Sequence, residues 1–369
     1  MSGVINITIW HWVGFVVFVL VVLALDLGVF HRRAHVVNFR EALFWSAIWF
    51  CLAMLFAVWL GFLHEDKDSN KHALQFVTGY LIELSLSMDN VFVIALIFGY
   101  FRIPSEYQHR VLFWGILGAL VMRGLMIGVG VALITLLSWV LYVFGAFLIF
   151  SGIKMLFVET DVDPEKNRVI RLTRRLYPVT PHLDGQRFTT QWQGKRALTP
   201  LALVLLMVET TDLIFAVDSI PAIFAVTKVP FIVFTSNVFA ILGLRSLYFV
   251  LAGAIRYFRY LKTGLSFVLI FIGIKMLVDP GENEAKWFQR DIPTSVSLMV
   301  VGGIILLSMV LSVIAAQREK RRGGDGSAAA KEKESDGSAG RPGEKPAQDS
   351  GLQSKLEPSD GKPDPTDKQ

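Results

Sequence analysis

Cysteine is almost missing from these 369 residues. Cys51 stands alone, which excludes a disulfide framework and any cysteine-rich metal site. Charge is scarce as well: 18% of the residues are Asp, Glu, Lys or Arg, against about a quarter in a soluble chain. No P-loop pattern occurs, so nothing points to ATP as an energy source. Histidine is sparse, and His11, His31, His35, His64, His72, His109 and His182 all fall at or beyond the ends of the apolar runs. What the chain does have is apolar: 53% hydrophobic and 12% aromatic residues, with a mean hydropathy of +0.51. They are gathered in runs too long for a soluble core. This excludes a secreted or cytosolic globular enzyme and predicts an all-α polytopic membrane protein, with the lipid bilayer as its first partner. The net charge of +5 does not signal nucleic acid. The last 53 residues hold 11 basic and 11 acidic residues, so the excess lies within 1–316.

A spanning helix needs about 20 predominantly apolar residues. Nine stretches qualify: 9–30, 42–63, 73–101, 111–137, 139–158, 199–227, 231–255, 263–278 and 294–316. The first lacks a basic leading stretch and a small-residue cleavage site, so it reads as a span rather than a signal. Basic residues orient the set. With the N-terminus outside, the inner loops 31–41, 102–110, 159–198 and 256–262 hold 3, 2, 8 and 3 Lys/Arg. The tail opens with Arg318, Lys320, Arg321 and Arg322. The outer loops 64–72, 138, 228–230 and 279–293 hold 2, 0, 1 and 2. The contrast predicts an outside N-terminus and a cytoplasmic C-terminus. Loop 159–198 carries Pro164, Pro178, Pro181 and a basic stretch, and reads as a short helix plus a hairpin around Asp184-Gly185. Residues 317–369 are rich in Gly, Ser, Pro, Lys and Glu without aromatics, and read as a disordered tail.

An internal repeat lies inside this plan. Leu148–Leu156 reads LIFSGIKML and Leu269–Leu277 reads LIFIGIKML, eight matches in nine at an offset of 121. Arg123 matches Arg245 at 122, and the segment Ser87–Phe92 resembles Thr210–Phe215 at 123. Each copy holds three spans, so the second is reversed relative to the first, an inverted repeat of two three-helix units of the kind that many secondary transporters use. The chain therefore divides into two N-terminal spans (1–72), a first unit (73–158), a cytoplasmic loop (159–198), a second unit (199–278), an outer loop with the last span (279–316) and the tail (317–369).

The runs are not purely apolar. The third span carries Glu83, Asp89 and Asn90; the sixth carries Glu209, Asp212, Asp218 and Ser219; the first carries Asp26. Arg123 and Arg245 sit within the fourth and seventh, where they read as counter-charges or helix locks. A carboxylate at the bilayer centre costs at least about 2.5 kcal/mol. Six carboxylates against two arginines leave a formal surplus of four negatives, to be met by protons, by cations or by both. Pro221 is expected to kink or break the sixth span. Oxygen donors without histidine or thiolate suit hard divalent cations such as Mg²⁺, Ca²⁺ and Mn²⁺.

The segments LSMDNVF, FAVDSIPAIFA, LALDLGVF and FIGIKML together resemble the TerC family of integral membrane proteins, named for tellurium resistance, and its Alx-like branch. The similarity runs from residue 9 to about 316. It implies a bacterial inner-membrane protein of the lysine-exporter-like superfamily tied to manganese export or metal homeostasis. It also implies a metal set of Asp26, Glu83, Asp89, Asn90, Glu209, Asp212, Asp218 and Ser219. The expectation is a transporter, not an enzyme: no cofactor held permanently, Mn²⁺ as cargo, and protons as the exchanged ion, with Asp89 and Asp212 approaching each other at mid-membrane. An intramembrane aspartyl protease competes poorly because the GxGD pattern is absent. A membrane scaffold of a stress-response complex leaves the buried charge unexplained. Reporter fusions after Arg322 and within 65–70 test the topology, and they should report opposite sides of the membrane.

Overall fold

The computed structural model describes residues 7–25, 38–62, 69–137, 139–157, 168–254, 260–278 and 292–336. Ten helices occur among them: α1 (Ile9–Leu25), α2 (Phe39–Phe62), α3 (Ser69–Tyr100), α4 (Ser105–Leu136), α5 (Val140–Phe157), α6 (Arg168–Leu176), α7 (Pro200–Phe224), α8 (Pro230–Ala254), α9 (Leu261–Val278) and α10 (Thr294–Asp336). Eight of these, all but α1 and α6, are long and apolar enough to cross a membrane. The apolar α1 has 17 described residues, and Asp26, expected in the same span, lies outside the described residues. The chain is thus an all-α multi-pass membrane protein.

Which side chains are buried follows from which helices are central. Helices α3 and α8 are enclosed along most of their length, whereas α2 and α10 are largely uncovered. The uncovered faces carry Trp10, Leu55, Phe62, Val121, Leu125, Phe150, Leu306 and Leu307, as lipid-facing surfaces must. The core packs α3 on α7 and α8, α4 on α7 and α8, α2 on α3 and α8, and α5 on α9.

The α5–α9 pair holds the matching LIFSGIKML and LIFIGIKML segments. A Cβ on Gly152 would lie 2.9 Å from the Ser266 carbonyl oxygen and 2.8 Å from Ile270. One on Gly273 would lie 2.7 Å from the Gly145 oxygen and 2.8 Å from Ile149. Adding 121 turns 152, 145 and 149 into 273, 266 and 270, so the two sets of contacts are copies of each other. Gly145 meets Gly273 and Leu277 while Gly152 meets Ser266 and Ile270, which makes the two helices antiparallel. Between α4 and α7 the order runs the other way. Gly115 meets Val208 and Gly130 meets Phe224 and Ile220, so those two are parallel.

Three local expectations are corrected. Helix α7 is not broken at Pro221: it continues to Phe224, and Pro221 sits in its last turn. Proline forfeits one backbone bond there, with few turns left to distort. The loop hairpin exists, but its strands are β1 (Thr189–Trp192) and β2 (Lys195–Leu198). They turn at Gln193-Gly194, both at positive φ, as a two-residue hairpin loop requires. Asp184-Gly185 instead forms a separate turn closed by Arg187 N–H to the Asp184 carbonyl at 3.0 Å. The Thr199 hydroxyl donates to the Arg187 carbonyl at 2.7 Å, which clasps this loop to the start of α7. Finally, residues 317–336 are helical, not disordered, as the last part of α10. Ala, Lys and Glu there are strong helix formers. Residues 337–369 lie outside the described ones, and Arg318–Gln369 forms a unit of its own.

The glycine crossing generates a test. Gly273→Ala forces its Cβ into the α5 backbone and should cost about 1–3 kcal/mol, as overpacking does. Gly302→Ala in α10 meets open space within 4 Å and should leave stability unchanged. Thermal unfolding in detergent reads both.

Candidate functional site

Glu83 and Asn90 are seven residues apart on α3, two turns, and so share one face. That face meets Arg123 of α4 and Asp212 of α7. The Arg123 guanidinium binds Asp212 with two prongs: Nε donates to Oδ2 at 3.2 Å and Nη2 to Oδ1 at 3.0 Å. Its Nη1 donates to Oδ1 of Asn237 on α8 at 3.0 Å and pairs with Glu83 Oε1. The Asn90 Nδ2 donates to Asp212 Oδ1 at 2.7 Å. Four helices thus converge on one guanidinium. All five residues are buried, where a charge is tolerated only with partners.

Several buried oxygens at this core have no hydrogen-bond donor. They are Glu83 Oε2, Asn90 Oδ1 and the Ser87 hydroxyl one turn from Glu83. Such groups are rare in folded proteins and call for a ligand or water. The donors are all hard oxygens, the chemistry that fits Mg²⁺, Ca²⁺ or Mn²⁺. Among the described residues, however, no three of His, Cys, Asp and Glu gather as a ready metal cluster.

The other expected site residues fall elsewhere. Asp89 is not paired with Asp212; the cation acting on it is Lys262 of α9. The reason is rotational. Neighbouring helix residues point about 100° apart, and Asn90 takes the face toward α7. Asp218 accepts from the Ser151 hydroxyl of α5 at 2.8 Å and feels Lys154. Ser219 beside it is buried with its hydroxyl unpaired, two turns after Asp212 on α7. Arg245 is not at the core either. With Glu41, His109, Trp45 and Trp49 it lines a small cavity among α1, α2, α4 and α8.

Glu209 differs from these. It lies one turn before Asp212 on α7, and the charge that acts on it is Asp212, of like sign. Its carboxylate rests where a side chain on Gly118 of α4 would stand. No cation partners it among the described residues. The expected surplus of four negatives also shrinks, because the helices carry Lys154, Lys262 and Lys275 besides the two arginines. Lys262 acts on Asp89 and Lys154 on Asp218. Asn237, an amide within the seventh apolar run that offers a neutral oxygen from sequence alone, joins the core. Gly118 stood outside the expected set, and nothing in the sequence marks it.

The family model described as the integral membrane protein TerC family matches residues 68–320. The chain belongs to the TerC family. An uncharacterized membrane protein of Myxococcus xanthus is 52% identical over 305 residues, 82% of this chain and 91% of that one. A protein of Escherichia coli K12 named as a membrane-bound redox modulator, Alx, is 45% identical over 307 residues, 82% of this chain and 93% of that one. A Rickettsia felis membrane protein is 39% identical over 303 residues, covering 82% and 97%. No solved structure matches. The matches take in 91%, 93% and 97% of those three proteins, so this TerC chain and its relatives correspond over nearly their whole length.

Removing one partner of a buried ion pair costs about 3–5 kcal/mol. Asp212→Asn should therefore lower the detergent melting temperature markedly. Asp218→Asn should do less, since Asp218 is only half-buried.

Proposed function

We propose that this TerC protein exports a divalent metal cation, with Mn²⁺ the favoured cargo, in exchange for protons. It works by alternating access at the carboxylate core of Glu83, Asn90 and Asp212, in a bacterial inner membrane with the N-terminus outside. The observation that supports it best is the buried core itself. Two carboxylates from α3 and α7, one from each repeat, meet an amide and a guanidinium beside unpaired hard oxygens. A purely structural lock has no use for those oxygens.

The architecture supports alternating access. The pairs α3–α8 and α4–α7 are counterparts under the repeat, and α5 and α9 are antiparallel counterparts with matching contacts. We read this as the inverted repeat expected from sequence. Such repeats place the substrate at their interface near mid-membrane. Cys51 gives the chain no internal thiol pair, so a redox effect like that named for Alx would act through the transported metal.

Full-length protein in proteoliposomes tests this. Mn²⁺ flux should follow an imposed pH gradient and exceed Zn²⁺ flux at equal concentration. Glu83→Gln should remove it at equal reconstitution. Protonated carboxylates bind cations poorly, so Mn²⁺ binding should weaken as pH falls. Mn²⁺ flux no greater than in empty liposomes, under either direction of gradient, would sink the proposal.

A further inference from the structure

Every oxygen of Asp212 is already engaged. Oδ2 accepts from Arg123 Nε, and Oδ1 accepts from Arg123 Nη2 and Asn90 Nδ2. Glu83 Oε1 is held by Arg123 Nη1. A divalent cation at this core finds Glu83 Oε2 and Asn90 Oδ1 unpaired, but it shares the carboxylates of Glu83 and Asp212 with the guanidinium, so guanidinium and metal compete for the same two anions. Arg123 cannot clear the site by losing its proton, because guanidinium stays charged in proteins. It can clear it only by moving, and a moving charge inside a membrane needs another anion within reach.

One is present. Glu209 lies one turn from Asp212 on the same helix and, among the described residues, has no cation partner. Its carboxylate sits against Gly118, on the same α4 that carries Arg123. Asp212, which Arg123 already grips, is three residues from Glu209, about 4.5 Å of rise, so the shift asked of the guanidinium is one turn along α7. A side chain at 118 would fill the place that the Glu209 carboxylate takes. Asn237, which accepts from Nη1, is neutral and can hold the guanidinium without competing with a metal for charge.

We propose that Arg123 is a tethered counter-cation that the cargo must displace from Glu83 and Asp212, and that Glu209 is the carboxylate that receives it. This rests on the reading of the core as a cation site and adds how the site empties. With Arg123 back on Glu83 and Asp212 the cargo is expelled, so the arginine acts as the competitor that makes release fast.

Calorimetric Mn²⁺ binding to the purified full chain in detergent tests it, with melting curves as the check on folding. Arg123→Gln should bind Mn²⁺ at least tenfold more tightly than wild type and lose transport, because nothing expels the ion. Arg123→Lys keeps the charge but not the two-pronged grip, and should tighten binding severalfold even where the Gln variant folds poorly. Glu209→Gln should weaken Mn²⁺ binding about tenfold in the wild-type background and change nothing in the Arg123→Gln background, since no arginine then needs a second berth. Weaker or unchanged binding in both Arg123 variants, with wild type still binding, would overturn the displacement while leaving the cation site standing. An equal loss from Glu209→Gln in both backgrounds would make Glu209 a direct ligand and overturn its role as receiver. No Mn²⁺ binding by wild type or any variant would remove the site and this inference together.

Discussion

A guanidinium buried among membrane helices has no water to fall back on, so Arg123 dictates where its neighbours stand. It needs acceptors on three sides, and they come from α3, α7 and α8 while its own stem belongs to α4. Apolar helices gain nothing from hiding apolar faces in lipid; close packing and polar contacts must hold them together. The four-helix convergence on Arg123 supplies the polar part. The glycines of α5 and α9 supply the packing part, by letting two backbones approach to contact distance. Loss of either would leave long apolar helices with little to choose between neighbours.

These two devices obey different symmetry. The α5–α9 crossing treats the two copies alike: Gly152 and Gly273 see equivalent partners. The ionic core does not. Asp212 holds Arg123, yet its counterpart Asp89 answers to Lys262, and Arg245, the counterpart of Arg123, lines a separate cavity with Glu41 and His109. The backbone is built twice, but the chemistry is placed once. Under the proposed exchange, a single core between paired helices would serve both sides of the membrane without two sites competing for one ion.

The frame was largely legible in the sequence. Long apolar runs marked the spans, because lipid admits little else, and the GIKML pair marked α5 and α9, which pack on each other. The core was half legible. Glu83, Asn90, Arg123 and Asp212 stood out because charges and amides are costly in lipid, but their grouping depends on helix rotation. Asp89 and Asn90 are adjacent, and a turn of about 100° decides which one meets Asp212. Spacing of seven from Glu83 to Asn90 carried that information; spacing of six to Asp89 did not. Gly118 was invisible, since a glycine that makes room for a carboxylate looks like any glycine. The break expected at Pro221 failed because the proline falls in the last turn of α7, where position along the helix, not the residue type, sets the cost.

Charge accounting changes what kind of site this can be. Counted against arginines alone, the membrane carboxylates look like an empty basket for cations. Counted with the lysines, each described membrane carboxylate except Glu209 has a basic side chain at hand: Arg123 at Glu83 and Asp212, Lys262 at Asp89 and Lys154 at Asp218. The core itself keeps a surplus, because Glu83, Asp212 and Glu209 stand against one guanidinium; what is short there is free oxygen, since Arg123 and Asn90 hold both oxygens of Asp212 and Arg123 holds one of Glu83. In the exchange proposed above the ion gains ligands by substitution, with the resident guanidinium yielding oxygens and finding others. Arg123 has two carboxylate partners, Glu83 and Asp212, and beside them stands Glu209, without a cation among the described residues. Under the proposed exchange, occupancy would be tied to movement of a side chain on α4, which packs on both α7 and α8, and so to the contact between the two halves of the frame.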